Sequence, residues 1–370
     1  MILQKLELRD FRNYELLSLS LSPQVTIFVG QNAQGKTNVL ESILMLSLAK
    51  SHRANRDSEM IRWGTEFASV SGQVERNQRT YSLDLKILNR GKKVRVNGIE
   101  KRKISDFIGH LNVVLFAPED LMLVKGAPQN RRRFLDIELG QMSPQYLHNL
   151  AQYQKVLQQR NNILKDGERM DAGLVGTLAV WDEQLIEYGT KIIRKRLEFV
   201  DKLQQFSSDI HKRITSGGEE LTLNYKCSLL ENGDAADQVS ENFRQQLVLR
   251  QKDDFRRGAT SVGPHRDDIE VRIDGKDVHI YGSQGQQRTA ALSMKLAEIE
   301  LIRHEVGEYP VLLLDDVLSE LDEMRQLHLL DSMGERVQTL ITTTMTYGLE
   351  DLMREKAVVY RVTDGEIHQS

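Results

Sequence analysis

The sequence predicts an α/β fold in which a head of strands and helices is divided by a helical insert. The first sign is a β-rich apolar run over residues 25–29, which leads into a glycine loop and a helical pattern over residues 36–49. The second is an apolar run over residues 310–314 that ends in two carboxylates. The third is the helical spacing of apolar residues between 143 and 192, which separates these two halves of the head.

The glycine loop matches the phosphate-loop pattern G-x-x-x-x-G-K-[ST] at every fixed position, in Gly30, Gln31, Asn32, Ala33, Gln34, Gly35, Lys36 and Thr37. Gly30 and Gly35 permit a tight backbone path, so successive N–H groups and the positive end of the next helix can surround phosphate oxygens. Lys36 would neutralise the β- and γ-phosphates, and the Thr37 hydroxyl would bind Mg²⁺. A chance match is the alternative, and the flanking strand and helix weigh against it. The loop therefore predicts an ATP site.

Composition restricts the classes of function. The 370 residues carry 50 Lys and Arg against 53 Asp and Glu, a net charge of −3, so affinity for nucleic acid would need local basic patches. The single cysteine, Cys227, cannot form an internal disulfide, and the histidines lack zinc-site spacing. No signal peptide and no apolar run of about 20 residues is present. We expect a cytoplasmic, nucleoid-associated protein with no structural metal and no membrane partner.

The second apolar run supplies the other half of the expected ATP site. A strand ending in Asp315 and Asp316 has the arrangement in which a phosphate-loop ATPase places a carboxylate beside Mg²⁺. Asp315 would reach the metal. Asp316 would polarise the attacking water, and Asp316 and Lys36 are the expected catalytic residues. A capped turn is the alternative for two successive aspartates, and the loop at Gly30 favours the metal role.

A third motif opens the helical pattern that begins near residue 284. Ser283, Gly285 and Gln286 resemble the signature motif of ABC-type ATPases, in which a helix N-terminus presents N–H groups and a hydroxyl to an anion. Because each nucleotide already has its own phosphate loop, this second cradle would act in trans, on the γ-phosphate held by a partner subunit. The motif thus predicts an ATP-dependent homodimer. The alternative is a loop that only caps its helix.

Together the motifs resemble the bacterial RecF family, SMC-like ABC-type ATPases of DNA replication and repair. The resemblance is carried by the opening segment 6–14, the segments 116–121, 126–136, 263–268 and 283–288, and the segment 313–322. It implies weak DNA-stimulated ATP hydrolysis, binding to single-stranded and duplex DNA at gaps, and action with RecO and RecR in RecA loading and the SOS response. The expected nucleotide-binding set extends to Asn38 and Arg12.

Two positions depart from the ABC pattern. Glu119 stands where these ATPases have a Mg²⁺-contacting glutamine. Thr342, Thr343 and Thr344 follow the strand after which transporters carry a switch histidine, so proton transfer by that histidine is excluded. Slow hydrolysis is therefore expected.

The pattern divides the chain into an N-terminal head lobe over residues 1–130, a helical insert over 131–254 and a C-terminal head lobe over 255–370. Within the insert, two stripes of apolar residues at helical spacing predict a short hairpin with a break between residues 165 and 173. The insert is too short for the long arms of SMC proteins.

Basic residues cluster in two places that are candidates for DNA contact. A predicted β-hairpin with the turn pair Asn97-Gly98 carries Lys92, Lys93, Arg95, Lys101 and Arg102, and a run near the head–insert boundary consists of Arg131, Arg132 and Arg133. Solvated faces and internal salt bridges are the alternatives. Few aromatic residues are present, so contact with the DNA backbone is favoured over stacking on bases. The segment 265–268 is expected to bond locally near a turn.

Other classes of function stay open at this point. An ABC transporter subunit is disfavoured by the missing glutamine and histidine, and a phosphate-loop kinase has no use for the Ser283 motif. A non-catalytic nucleotide-sensing scaffold is the third alternative. DNA-stimulated ATP turnover would separate the main interpretation from all three.

Overall fold

A computed structural model describes residues 1–54, 56–166, 172–230, 236–322, 325–326, 328–329, 336–344 and 357–369. The chain forms two compact units. The first comprises Met1–Leu121, Ile210–Gly218 and Arg288–Ser370, and the second comprises Met122–Asp209 and Glu219–Gln287. These bounds differ from the predicted lobes, because residues 122–130 and 255–287 belong with the insert.

The strands are β1 (Ile2–Phe11), β2 (Tyr14–Ser20), β3 (Val25–Val29), β4 (Phe67–Arg76), β5 (Arg79–Leu88), β6 (Lys92–Val96), β7 (Ile99–Lys101), β8 (Val113–Phe116), β9 (Leu221–Lys226), β10 (Asp268–Ile273), β11 (Lys276–Asp277), β12 (Val311–Asp315), β13 (Thr339–Thr343), β14 (Ala357–Thr363) and β15 (Glu366–Gln369). The helices are α1 (Lys36–Leu48), α2 (Met122–Lys125), α3 (Pro128–Met142), α4 (Pro144–Asp166), α5 (Ala172–Ile214), α6 (Val239–Arg257), α7 (Val278–Tyr281) and α8 (Gln284–Val306). Short 3-10 turns occupy Asp57–Met60, Ile104–Asp106, Pro118–Leu121 and Val317–Glu320.

The first unit contains a mixed sheet with the strand order β15-β14-β3-β13-β12-β8. Strands β14, β3, β13, β12 and β8 run parallel to one another, and β15 pairs antiparallel with β14 at one edge. Every residue of β12 and β13 is buried, which is why both strands appear in the sequence as nearly continuous apolar runs. The strand register places Asp315 beside Thr342 and Thr343 beside Val29, so the functional loops meet at one edge of the sheet.

A second sheet of the first unit is antiparallel, with the order β2-β1-β4-β5-β6-β7. Helix α1 contacts strands of both sheets and is buried along almost its whole length. A Cβ atom on Gly72 of β4 would lie 2.8 Å from the Leu46 side chain of α1, so any larger residue there would require this side chain to move. The apolar residues of both sheets and α1 form one core, which confirms the predicted α/β head.

The second unit combines helices α3, α4 and α6 and most of α5 with the small sheet β11-β10-β9. The predicted hairpin corresponds to α4 and α5, and its break from residue 167 to residue 171 lies outside the described residues. The sequence analysis expected a helical insert and missed β9, whose alternating burial over Leu221–Lys226 is the usual period of a half-buried strand. No described helix is long and apolar enough to cross a membrane.

Candidate nucleotide-binding site

The glycine loop connects the end of β3 to the start of α1, as the sequence predicts. Gly35 has a φ of 113°, and a Cβ there would lie 2.6 Å from the Asn13 amide and 2.8 Å from the Tyr14 hydroxyl. A Cβ on Gly30 would lie 2.4 Å from the carbonyl oxygen of Val362. Both glycines are therefore required by close contacts, and at Gly35 also by its left-handed backbone.

The turn between β1 and β2 supports the loop from one side. The Tyr14 hydroxyl donates to the Gly35 carbonyl at 3.0 Å, and the Asn13 amide donates to the Gln34 carbonyl at 3.2 Å. The side chain of Asn38 donates to Asn13 Oδ1 at 2.8 Å. These bonds hold the loop backbone open, while Gln31, Asn32 and Ala33 at its tip are exposed. Sequence reasoning did not identify Asn13 or Tyr14 as supports of the loop.

The Lys36 ammonium folds over the loop. Its Nζ donates to the carbonyls of Gly30 at 2.7 Å and Gln31 at 2.8 Å. Burial lowers the pKa of Lys36, and the carboxylates of Asp316 and Asp315 oppose that effect. The cation thus lies within the field of both aspartates, at the mouth of the loop where phosphate oxygens would bind.

Thr37 and Asp315 are joined directly, although 278 residues separate them in the chain. The Thr37 hydroxyl donates to Asp315 Oδ1 at 2.8 Å, and the Thr342 hydroxyl donates to the same oxygen at 2.8 Å. Two adjacent ligands of an octahedral Mg²⁺ ion lie about 2.9 Å apart, since each metal–oxygen distance is about 2.05 Å. The spacing and the hard oxygen chemistry of Thr37 and Asp315 therefore fit the metal that the sequence predicts. No cluster of three or more His, Cys, Asp or Glu suited to a metal occurs among the described residues.

Asp316 begins the 3-10 turn after β12 with a φ of 54°, in the left-handed region. Its N–H donates to the Thr342 hydroxyl at 3.0 Å. Burial raises the pKa of Asp316, nearby Asp315 adds to that rise, and Lys36 opposes it. A carboxyl group with a raised pKa beside a phosphate site is suited to accept a proton from water.

The last two threonines of β13 take different positions. Thr342 contacts Asp315, as described above, whereas Thr343 accepts a bond from the Gly30 N–H through its main-chain carbonyl at 3.3 Å. Glu119 is exposed in the turn Pro118–Leu121. The sequence analysis named these threonines only in the place of the switch histidine and did not predict the contact of Thr342 with Asp315, because that contact depends on the register between β12 and β13.

Arg12 lies in an open cleft of about 440 Å³ beside the loop, lined also by Asn13, Asn38, Arg53 and Trp63. Its guanidinium makes two bonds of 2.8 Å to the carboxylate of Glu41 and one of 2.9 Å to the Glu59 carbonyl.

Glu41 belongs to α1 and is fully buried. Burial acts to raise the pKa of Glu41, but bonds from Arg12 and Ser51 bring it below its usual value. Arg12 is therefore held at the cleft by a buried anion, and sequence reasoning missed both Glu41 and the exposed Trp63.

The Ser283 segment belongs to the second unit. The Ser283 N–H donates to Gln286 Oε1 at 2.9 Å, and the Gln286 N–H donates to the Ser283 hydroxyl at 3.2 Å, which is a reciprocal capping box at the start of α8. The Gln286 amide also donates to Glu219 at 3.0 Å. The helix-capping alternative is therefore present in the structure, while Ser283 and Gly285 remain exposed.

Two of the proposed DNA-contacting residues are directed into the protein. Lys92 donates to the Ala49 carbonyl at 2.6 Å and pairs with Asp57 at 2.7 Å, with 9% of its side chain exposed. Arg131 forms a two-bond ion pair with Asp268 and donates to main-chain carbonyls of the α2–α3 region. Both expectations are wrong, because local acidic partners and carbonyls satisfy these cations.

The other basic candidates differ in exposure. Arg132 is half-buried and donates to the Asp267 carbonyl at 2.8 Å, and Lys101 is also half-buried. Lys93, Arg102 and Arg133 are exposed, as is Arg95, which lies 4.0 Å from Glu100.

The segment 265–268 bonds within the second unit. His265 Nδ1 lies 2.6 Å from the Tyr153 hydroxyl, and its Nε2 lies 3.0 Å from the Thr260 carbonyl. Burial lowers the pKa of His265 to about 4. Asp267 accepts bonds from Tyr225 and from Ser228. The contact with Thr260 is local, as the sequence analysis expected, whereas those with Tyr153, Tyr225 and Ser228 join this segment to distant parts of the second unit.

Comparison with known proteins identifies the family. The RecF/RecN/SMC N-terminal domain family model matches residues 2–368. DNA replication and repair protein RecF of Lysinibacillus sphaericus (strain C3-41) is 47% identical over 371 residues, covering 100% of both chains. The RecF protein of Bacillus cereus (strain AH820) is 49% identical over 369 residues, covering 99% of this chain and 98% of the relative.

Solved structures agree with this assignment. A structure of the recombination mediator protein RecF-ATP in the RecFOR pathway superimposes with a TM-score of 0.91 at 34% identity, covering 100% of this chain and 97% of that one. An Smc head bound to the C-terminal winged-helix domain of ScpA shares the fold, with a TM-score of 0.57 at 17% identity. The chain therefore belongs to the RecF family of SMC-like, ABC-type ATPases of DNA replication and repair.

Proposed function

We propose that this chain binds and slowly hydrolyses ATP, and that ATP assembles two copies into a clamp on gapped DNA. The observation that carries the proposal is the 2.8 Å bond between Thr37 and Asp315, which joins the phosphate loop to the end of β12. A phosphate-loop site with Mg²⁺ requires these two oxygens to lie side by side near a lysine.

The residues of the loop would hold the nucleotide. The N–H groups of residues 31–37 and the N-terminus of α1 would bind the phosphates, with Lys36 turning from its carbonyl acceptors to the β- and γ-oxygens. Mg²⁺, held by Thr37 and Asp315, would neutralise charge that develops on the phosphates. Arg12 and Asn38 line the adjoining cleft, where the rest of the nucleotide would fit.

Asp316 would act on water rather than on the nucleotide. Its carboxyl group lies directly after the proposed metal ligand Asp315 and within the field of Lys36, and burial raises its pKa, which makes it a better proton acceptor than an ordinary aspartate. Thr342 fixes the backbone of Asp316 through its hydroxyl. With no histidine after β13, turnover depends on this one carboxylate, and we expect a slow ATPase that DNA stimulates.

The second copy would complete the site through Ser283, Gly285 and Gln286. Ser283 and Gly285 are exposed at the start of α8, where the helix dipole favours an anion. The capping box would preorganise this end, since Gln286 fixes the backbone of Ser283 before the phosphate of the other subunit arrives.

The relatives support the biological setting. The RecF-ATP structure is described as part of the RecFOR pathway, and the curated relatives are DNA replication and repair proteins. On this basis we propose that the chain binds single-stranded and duplex DNA at gaps, works with RecO and RecR, and promotes RecA loading and the SOS response. A protein with that role would lie at the nucleoid in the cytoplasm.

Sedimentation of the purified chain tests the proposal directly. ATP with Mg²⁺ and a gapped duplex should convert a monomer to a dimer, and Ser283→Arg should abolish the dimer while ATP binding is nearly retained. Ser216→Arg adds the same bulk and charge at another exposed serine and should behave as wild type. A dimer that persists in Ser283→Arg would remove the trans site. ATP turnover that DNA does not stimulate would favour a transporter subunit, and ATP binding without turnover would favour a non-catalytic scaffold.

A further inference from the structure

The antiparallel sheet of the first unit has one covered face and one exposed face. Leu8, Val70, Leu85 and Val94 lie opposite one another across four strands, and all are buried on the side of α1. Their sequence neighbours point to the other face, because side chains alternate along a strand. The side chains on that outer face are exposed or half-buried.

One row of this outer face is basic. Cross-strand pairing places Leu16, Arg9, Ser69, Lys86 and Lys93 in a single line across β2, β1, β4, β5 and β6. We call Arg9, Lys86 and Lys93 the basic row. No acidic residue occurs in this line, and Arg9 and both lysines are exposed.

The adjacent row has the opposite character. It runs through Glu7, Ser71, Asp84, Arg95 and Glu100, so it holds three carboxylates and one arginine, and that arginine lies between Asp84 and Glu100. On this face the basic row is therefore separated from the mainly acidic row by two residues along each strand, instead of the charges being mixed across the sheet.

This arrangement is costly for the fold alone. Lys86 lies directly opposite Lys93 in the ladder, and like charges in that position destabilise a sheet. Neither lysine forms a salt bridge with a described residue, and the salt bridge of Arg9 is to Asp10, 3.7 Å away. The Lys86 ammonium lies 3.7 Å from the centre of the Phe67 ring and the Arg9 guanidinium 5.7 Å from it, so both cations are held at the surface over an uncharged ring. Of the three cations in the row, only Arg9 forms a salt bridge with a described acidic residue.

We propose that the basic row is the surface that binds the phosphate backbone of DNA, and this inference rests on the DNA-binding role proposed above. The row covers three strand spacings, about 14 Å, and a DNA strand presents one charge about every 3.4 Å along its axis. Three fixed cations can therefore follow one strand over about four base pairs. Contacts of this kind carry no sequence preference. The rigid sheet supplies the contact, and the predicted hairpin contributes only Lys93.

The test uses the full chain with Lys86→Gln and Lys93→Gln together. Loss of two phosphate contacts should flatten the slope of log affinity against log salt by about 1.8 and weaken binding about 60-fold at 0.1 M salt, equally on two unrelated duplexes. Lys191→Gln with Lys195→Gln changes the net charge by the same amount on exposed parts of α5 and should leave the slope unchanged.

Folding is checked in the same samples. Removing the opposed lysines should leave the melting temperature equal to or above that of wild type, because a like-charge pair disappears. If wild type binds DNA and the double variant keeps the same slope, the basic row is not the DNA surface, and an acidic protein becomes its better partner. If wild type binds no DNA at any salt concentration, the proposed DNA role fails together with this inference.

Discussion

Replacement of Lys36 by methionine should remove ATP-dependent stabilisation while leaving the ATP-free protein nearly unchanged. Without nucleotide, the Lys36 ammonium donates to two loop carbonyls, at 2.7 and 2.8 Å. Its partial burial removes water from the charged group and lowers its pKa. Gly30 and Gln31 are not buried, so water can replace the lost bonds. We expect a change in ATP-free stability within about 1 kcal/mol.

The effect on binding should be much larger. A hydrogen bond to a charged group contributes about 1.5–3 kcal/mol, which corresponds to a 10- to 150-fold change in affinity. At an ATP concentration of about 100 times the wild-type Kd, ligand binding stabilises the protein by about 2.7 kcal/mol. A 100-fold weaker variant would keep only about 0.4 kcal/mol. At 2–4 °C per kcal/mol, the ATP-induced rise in Tm should fall from about 5–10 °C to about 1 °C.

Thermal unfolding with and without Mg·ATP measures both quantities in one experiment. Lys50→Met is the matched control, because Lys50 is exposed two residues after the end of α1 and should keep the full ATP response. An unchanged ATP-induced rise in Lys36→Met would refute the proposed phosphate contact. A large loss of stability without ATP would show that this lysine serves mainly the fold.

Three further predictions follow from the geometry. Asp316→Asn should retain ATP and the dimer but slow hydrolysis by about 100-fold or more, and phosphate release at the wild-type rate would assign water activation to another group. Arg131→Ala should destabilise the second unit by about 1.5–3 kcal/mol, because it removes two charged hydrogen bonds to the partly buried Asp268. Exposed Arg133→Ala should cost about 1 kcal/mol or less. Urea unfolding distinguishes the two variants, and equal costs would contradict a stabilising role of the Arg131–Asp268 ion pair. Folding lowers the pKa of His265 from 6.5 to about 4, so the contribution of its neutral ring to the free energy of unfolding is fully present above pH 6.5. As the pH falls towards 4, the protein should lose up to about 3 kcal/mol of stability. Unfolding free energies of wild type and His265→Gln at pH 7 and pH 5 measure this loss, and the same pH dependence in both proteins would exclude His265 as its source.

Several features of the ATP site could be predicted because they depend on neighbours in the chain. The phosphate loop needs a strand, two glycines and a helix within about 20 residues, and all of these leave local patterns. The pair Asp315 and Asp316 was recognisable from the apolar strand before it. Thr342 and Glu41 gave no such signal, since their roles depend on strand register and on the packing of α1.

The orientation of the basic residues, in contrast, could not be predicted from their neighbours in the chain. Lys92 and Lys93 are adjacent in a hairpin that the sequence predicts, yet one pairs with Asp57 inside the unit and the other lies on the open face of the sheet. Alternation along a strand separates such neighbours, while pairing between strands brings Arg9, from the start of the chain, into line with Lys93.

The sequence by itself determined the fold class, the family and the chemistry of the nucleotide loop, because each rests on contiguous motifs with fixed spacing. Only the tertiary structure decided which cations are free to face a partner, since charge burial depends on acidic groups far away in the chain, such as Asp268 for Arg131. It also decided the direct contact of Thr37 with Asp315, which forms when the parallel strands align. Local patterns select the residues, and long-range packing decides which of them meet.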